Sequence, residues 1–211
     1  MPTDDRRLLS QATMEHRQRV SCAALCEIRN ARGDYLLALN QDRYLRGRYE
    51  YTPIGGALTY TSETFLDDFA AIPEKPETRD LRLFIEPARL HQFKMWFMQR
   101  TGRETSPFRE LQEELVDELG LLDDLKPHDV LIRFRNFLFR ERVTARTGVV
   151  GVNTHYFHEI YRVEFVSVPK WMKLTQCAAD SRGRWVTRAD IERGQTPDGI
   201  AVDAEILLAD R

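Results

Sequence analysis

The chain has 211 residues, of which 42% are hydrophobic and 30% charged, so it holds one domain or somewhat more and has enough apolar content for a core. Its 31 Lys and Arg face 33 Asp and Glu, a formal charge of -2. That balance excludes a dedicated binder of bulk nucleic acid, which carries a net basic surface. No apolar run reaches the roughly 18 residues of a membrane span, and MPTDDRRLLS lacks the apolar stretch and cleavage site of a secretory signal. A cytoplasmic protein with no membrane partner is expected.

Residues 1–17 form a polar tail. From 19 to 28, Val20, Cys22, Ala24, Cys26 and Ile28 alternate on one face, the pattern of a half-buried strand. The two cysteines are then core thiols, since no metal-ligand partners lie nearby in sequence. Residues 30–34 turn the chain, and Tyr35–Leu39 is the returning strand. A loop rich in Arg and aromatics, 41–48, precedes a short strand at 49–52. Pro53-Ile54-Gly55-Gly56 is expected to break the chain there. Pro73 and Pro76 punctuate a charged stretch, and an amphipathic helix follows over 87–100 with Leu90, Phe93 and Phe97 at helical spacing. Core packing is the preferred reading of its aromatic group, with a lid or a homodimer surface as alternatives.

Ser106-Pro107 starts another helix, with an N-cap residue before Pro at the first helical position. It is expected to run to Leu119, with Gly120 past its end. Strands are expected at 130–139, 149–152, 155–166 and 184–186, then a short helix capped by Thr187 and a final helix over 201–208. Strands, helix, strands and helix with long connections predict an α/β sandwich on a mixed β-sheet, carrying 57–105 as an insertion. Residues 18–211 are thereby read as a single domain.

The helix after Pro107 carries the chemistry. Leu111, Leu115, Leu119 and Leu122 form a stripe for packing on the sheet. Glu110, Glu113, Glu114, Asp117 and Glu118 crowd the rest, with Arg109 as the one base. The pairs 110/114, 113/117 and 114/118 are like charges at i,i+4, each costing about 0.2–0.5 kcal/mol. A solvated face would intersperse Lys. Clustered carboxylates instead suit a hard cation, Mg²⁺ or Mn²⁺, whose charge removes the repulsion.

With P-x-G-G at 53–56 ahead of it and strands around it, this helix resembles the box of the Nudix hydrolase superfamily, G-x5-E-x7-R-E-U-x-E-E-x-G-U, where U is a bulky aliphatic residue. Two registers one helical turn apart fit. In one, Arg109-Glu110-Leu111-Gln112-Glu113-Glu114 matches R-E-U-x-E-E, with Val116 in the Gly position. In the other, 114–121 matches E-U-x-E-E-x-G-U, with Asp117 for one Glu and Glu113 in the Arg position. The second is preferred because it places Gly120 at the helix end. Arg184-Trp185-Val186-Thr187 and the following helix are similar to the family's C-terminal portion. The long insertion displaces the first Glu of the box, for which Glu104 is the candidate and Glu63 the competitor.

The resemblance implies a Nudix-like fold and a Mg²⁺-dependent hydrolase cleaving a nucleoside diphosphate linked to another group. Its metal ligands would be Glu114, Asp117 and Glu118, with the backbone of Gly56 and with Glu110 as a further acid. Glu113, Glu114 and Glu118 are the catalytic candidates. Arg43, Arg46, Arg48 and Tyr49, with Gly55 and Gly56 just after them, are read as substrate contacts, the Arg and Tyr side chains for phosphate clamping and base stacking, against an ordinary solvated loop. A second basic run, Arg133, Arg135, Arg140, Arg142 and Arg146, reads first as a solvated strand edge. The alternative function is a Nudix-fold sensor that binds a nucleotide without turnover, similar to domains that accompany cyclic-oligonucleotide signalling enzymes in bacterial defence.

Overall fold

A computed structural model describes residues 16–146, 148–177 and 182–209. In chain order the strands are β1 (Gln18–Ile28), β2 (Tyr35–Leu39), β3 (Glu50–Ala57), β4 (Ile72–Pro73), β5 (Arg82–Ile85), β6 (Val130–Val143), β7 (Asn153–Phe165), β8 (Gly183–Val186) and β9 (Ala201–Val202). The helices are α1 (Gln41–Tyr44), α2 (Phe65–Asp68), α3 (Leu90–Gln99), α4 (Phe108–Gln112), α5 (Val168–Cys177) and α6 (Arg188–Arg193). No helix among the described residues is long and apolar enough to cross a membrane. The fold is mixed α/β. Most of the expected polar tail, residues 1–15, lies outside the described residues.

The chain divides into two compact units. One comprises residues 16–23, Ala57–Thr105 and Phe139–His158. Within it β5 pairs antiparallel with the start of β1, Gln18 opposite Ile85 and Ser21 opposite Arg82, and β4 pairs with β5. Phe93 and Phe97 of α3 are fully buried against Phe157 at ring separations of 5.3 and 5.6 Å, and Phe65, Phe69 and Trp96 pack on Phe93. The aromatic group of the insertion is therefore core. Arg19, 1% exposed, is held by Glu74 at 2.6 Å and Thr154 at 3.1 Å, and Arg146 closes on the same Glu74 at 2.9 Å.

The other unit comprises Ala24–Gly56, Ser106–Leu138 and Glu159–Arg211. β2 lies between β3 and β8, antiparallel to both, with Leu37 opposite Pro53 on one side and Arg184 on the other. β9 pairs parallel to β3, which makes this sheet mixed. The leucine stripe at 111, 115, 119 and 122 is buried with Cys26, Ile28, Leu36, Ala38 and Ile54 in one core cluster. A second cluster gathers Tyr35, Leu37, Leu39, Tyr51, Val186, Ile191 and Leu207. β2 alternates between the two, so both of its faces are buried.

Several elements differ from the sequence expectation. Pro53 to Gly56 does not break the chain. β3 runs through them, because Pro53 lacks only an N–H and the glycines tolerate the required backbone. Residues 201–208 are not a helix but β9 and a 3₁₀ turn, Glu205–Leu207. β7 is one strand beginning at Asn153, with turn at 148–151 where a separate strand is expected. α6 begins as expected: Thr187 Oγ1 accepts from the Asp190 N–H at 3.2 Å, and the Asp190 carboxylate accepts from the Thr187 N–H at 3.2 Å.

Candidate functional site

Two glycines at the end of β3 set the geometry. Gly55 has φ 136°, and a Cβ there would stand 2.1 Å from the Ala24 carbonyl oxygen, so only glycine lets β3 lie this close to β1. A Cβ on Gly56 would stand 1.8 Å from Glu110 Oε2 and 2.6 Å from its Cδ. The missing side chain is therefore the space in which the Glu110 carboxylate sits, against the strand backbone. Glu110 is buried, although the sequence pattern puts it on the face away from the leucines. Arg109 reaches it at 2.7 Å and reaches Glu113 at 3.1 Å, so one guanidinium orients two acids.

The helix that presents these acids is not uniform. Pro107 caps α4, the Phe108 N–H donates to Ser106 Oγ at 3.2 Å, and α4 continues directly into a π-helical turn, Glu113–Glu118. The Leu119 N–H donates to the Glu114 carbonyl, five residues back, and Gly120 ends the run at φ 63°. Val116 packs on the leucine core while Asp117 and Glu118 are exposed.

Glu114 is the focus of the acid cluster. Burial first, then the charges of Glu118, Glu110 and Glu113, push its carboxyl up to about 8. The neighbouring Cys26 thiol is fully buried and pushed upward too, by burial first and then by Glu110 and Glu114, which makes it an inert core group. A half-buried carboxyl ringed by three acids with one Arg nearby has a deficit of positive charge, and its oxygen donors are those a hard divalent cation takes. Among the described residues, no group of three or more His, Cys, Asp or Glu side chains is already drawn together as a metal cage.

A family model, the SMODS-associated NUDIX domain, matches residues 17–208. The chain belongs to that family. Curated proteins and solved structures return no match. The match spans residues of both units.

The SMODS-associated NUDIX chain brings together some of the residues singled out in sequence and separates others. Gly56, Glu110, Glu113, Glu114 and Glu118 are linked by contact or by mutual charge, with Arg109 joined to two of them. Asp117 is exposed and is not among the acids acting on Glu114. Both box registers describe part of the helix: the first fits the acids up to Glu114, and the second fits the end at Gly120. The π turn accommodates the residues between.

Of the loop residues, Arg43 pairs with Glu50 and, at 3.8 Å, with Asp203. Arg46 and Arg48 are exposed, and Tyr49 packs edge-on against Tyr44 at 5.2 Å. Glu104 accepts from the Thr59 N–H at 3.3 Å, and Glu63 pairs with Arg79 at 2.9 Å, both inside the unit built from the insertion. Sequence reasoning did not find the buried position of Glu110. The signal that pointed to it was Arg109, since R-E-U-x-E-E begins there.

Proposed function

We propose that the chain is a Nudix-type hydrolase that cleaves the phosphoanhydride of a nucleoside diphosphate linked to another group, in a reaction dependent on Mg²⁺ or Mn²⁺. The observation that carries this reading is the Glu110 carboxylate seated in the space left by Gly56, beside a Glu114 carboxyl whose charge lacks compensation. Glu110, Glu114 and Glu118 with the Gly56 backbone would hold the cation, and the exposed Asp117 is left out of this set. A divalent cation there supplies charge neutralisation of the diphosphate and polarisation of its phosphorus.

The residues of the chain do the rest. Arg109 holds Glu110 and Glu113 in place between the acids. Water attacks one phosphorus, the bridging P–O bond breaks, and the leaving phosphate keeps the electron pair. One of Glu113, Glu114 and Glu118 takes the proton of the attacking water. Arg46, Arg48 and Tyr49 offer exposed cations and a ring to the substrate's phosphate and base, while Arg43, already paired to Glu50, positions the loop.

A second reading is a nucleotide sensor in defence signalling that binds without turnover. The engagement of Glu104 by Thr59 and of Glu63 by Arg79 favours it, because these two are the candidates for the first Glu of the box. A Mg²⁺ and Mn²⁺ hydrolysis screen over nucleotide sugars, dinucleoside polyphosphates and dinucleotide cofactors separates the two. Product formation abolished by Glu114→Gln supports the enzyme; nucleotide binding with no product from any substrate supports the sensor.

A further inference from the structure

A cleft of about 270 Å³ opens in the same unit and shares no lining residue with the acid cluster. It is lined by Glu27 and Arg29 of β1 and its end, by Arg162, Val163, Glu164 and Phe165 of β7, and by Trp171 of α5. Glu27 is fully buried, which alone would be unfavourable for a carboxylate. Three guanidiniums stabilise it: Arg29 at 2.8 Å, Arg162 at 3.0 Å, and Arg135, which also donates to the Leu207 carbonyl at 3.0 Å. One buried negative charge thus anchors three positive ones.

The guanidiniums retain donors beyond these bonds. Arg29 uses Nε on Glu27 and Nη2 on the Tyr35 hydroxyl at 2.5 Å, and its carbon stands 4.4 Å over the Tyr35 ring. Arg162 uses Nη2 on Glu27, and its side chain is 47% exposed. Each has a terminal amino group left over. The other lining acid, Glu164, is engaged by Arg133 at 3.1 Å. Also in the lining, Phe165 and Trp171 lie 6.1 Å apart at 33°, and Trp171 is braced edge-on by Trp185 at 5.7 Å.

We propose that this cleft is a binding site for a small phosphomonoester carried on a single planar ring. Arg29 and Arg162 approach from different strands, so their free donors serve oxygens directed in several planes, as in a tetrahedral phosphate rather than a planar carboxylate. The ring lies on Trp171 and Phe165. The cleft is at the small end of ligand pockets, which limits the ligand to about one ring system.

The test is titration of the full chain in metal-free buffer containing EDTA, followed by tryptophan fluorescence and calorimetry, with phenyl phosphate as the probe and inorganic phosphate, benzoate and benzyl alcohol beside it. Phenyl phosphate should quench fluorescence and bind more tightly than each of the other three. Arg162→Ala should weaken it by about ten-fold or more, roughly 1.4 kcal/mol, in a protein that still melts cooperatively, and Arg162→Lys should restore part of the loss. Glu110→Gln should leave it unchanged. Absence of binding at millimolar phenyl phosphate, equal binding of benzoate, an Arg162→Ala variant that binds as the wild type does, or loss of binding in Glu110→Gln would each overturn the proposal.

Discussion

Replacing Gly56 with Ala probes the acid cluster without straining the backbone, because Gly56 does not need a positive φ. The new Cβ would stand 1.8 Å from Glu110 Oε2. Ordinary van der Waals contact begins near 3.4 Å, so the carboxylate must retreat by about 1.5 Å. It is the end of a flexible side chain, and the cost to folding is about 1–3 kcal/mol, lowering the melting temperature by about 2–4 °C for each kcal/mol. The retreat also pulls Glu110 off Arg109, now at 2.7 Å, and off the Gly56 backbone. Misplacement by about 1 Å reduces turnover by on the order of 100-fold, and Mn²⁺ affinity should fall with it. Gly55→Ala is the control. Its Cβ meets the backbone oxygen of Ala24 at 2.1 Å with φ at 136°, neither of which can yield, so about 2–6 kcal/mol is lost and the fold with it. The assays are thermal melting, Mn²⁺ titration by electron paramagnetic resonance, and hydrolysis of the best substrate. A folded Gly56→Ala protein with wild-type Mn²⁺ affinity and wild-type rate would refute the seating of Glu110 as the reason for glycine at 56.

Four further outcomes follow from the same cluster. The Glu114 carboxyl is raised to about 8 in the fold and titrates near 4.5 when unfolded, so between these values the native state keeps a proton that the unfolded chain loses. Stability of the metal-free protein should therefore fall as pH rises from about 4.5 to about 8, and Glu114→Gln should flatten that fall in thermal melts; a rise in melting temperature over that window would contradict the assignment. Mn²⁺ should bind more tightly at pH 8.5 than at pH 6.5, with proton release measurable by calorimetry. Asp117→Asn should change Mn²⁺ affinity by less than about two-fold and Glu110→Gln by about ten-fold or more; the reverse order would restore the register that ends on Asp117 and Glu118. Arg109→Ala should lower the rate by about 10–100-fold, since Glu110 and Glu113 lose their common partner, and an unaffected rate would remove Arg109 from the site.

Periodicity made much of this fold legible. The alternation from Val20 to Ile28 and the leucine stripe at 111, 115, 119 and 122 gave the strand and the helix face that pack together, and Thr187 announced α6. What escaped were features that depend on partners distant in sequence. Both box registers fit the composition of 109–121, because its acids recur one helical turn apart, and the slip of the Leu119 hydrogen bond to the Glu114 carbonyl leaves no trace in residue spacing. Glu110 reads as exposed on a helical wheel, and only the approach of Gly56 buries it. Glu27 and Arg19 lie on the polar face of an alternating strand yet are buried, each through ion pairs that cross far along the chain. The Arg run at 133–146, which reads as a solvated edge, is where Arg135 and Arg146 find those carboxylates. β4 and β5 are too short to show a period, and α5 contains Pro169, which reads as a breaker although it sits in the first turn.

The most direct test of the central claim is a product assay by ³¹P nuclear magnetic resonance on wild-type protein and Glu114→Gln, with Mg²⁺, with Mn²⁺ and with EDTA, across nucleoside diphosphates linked to sugars, nucleosides and dinucleotides. The proposed hydrolase requires cleavage of the phosphoanhydride of at least one substrate, dependent on the added metal and reduced by about 100-fold or more in Glu114→Gln. Bound nucleotide with an intact diphosphate in every sample, or turnover that survives Glu114→Gln undiminished, would contradict it.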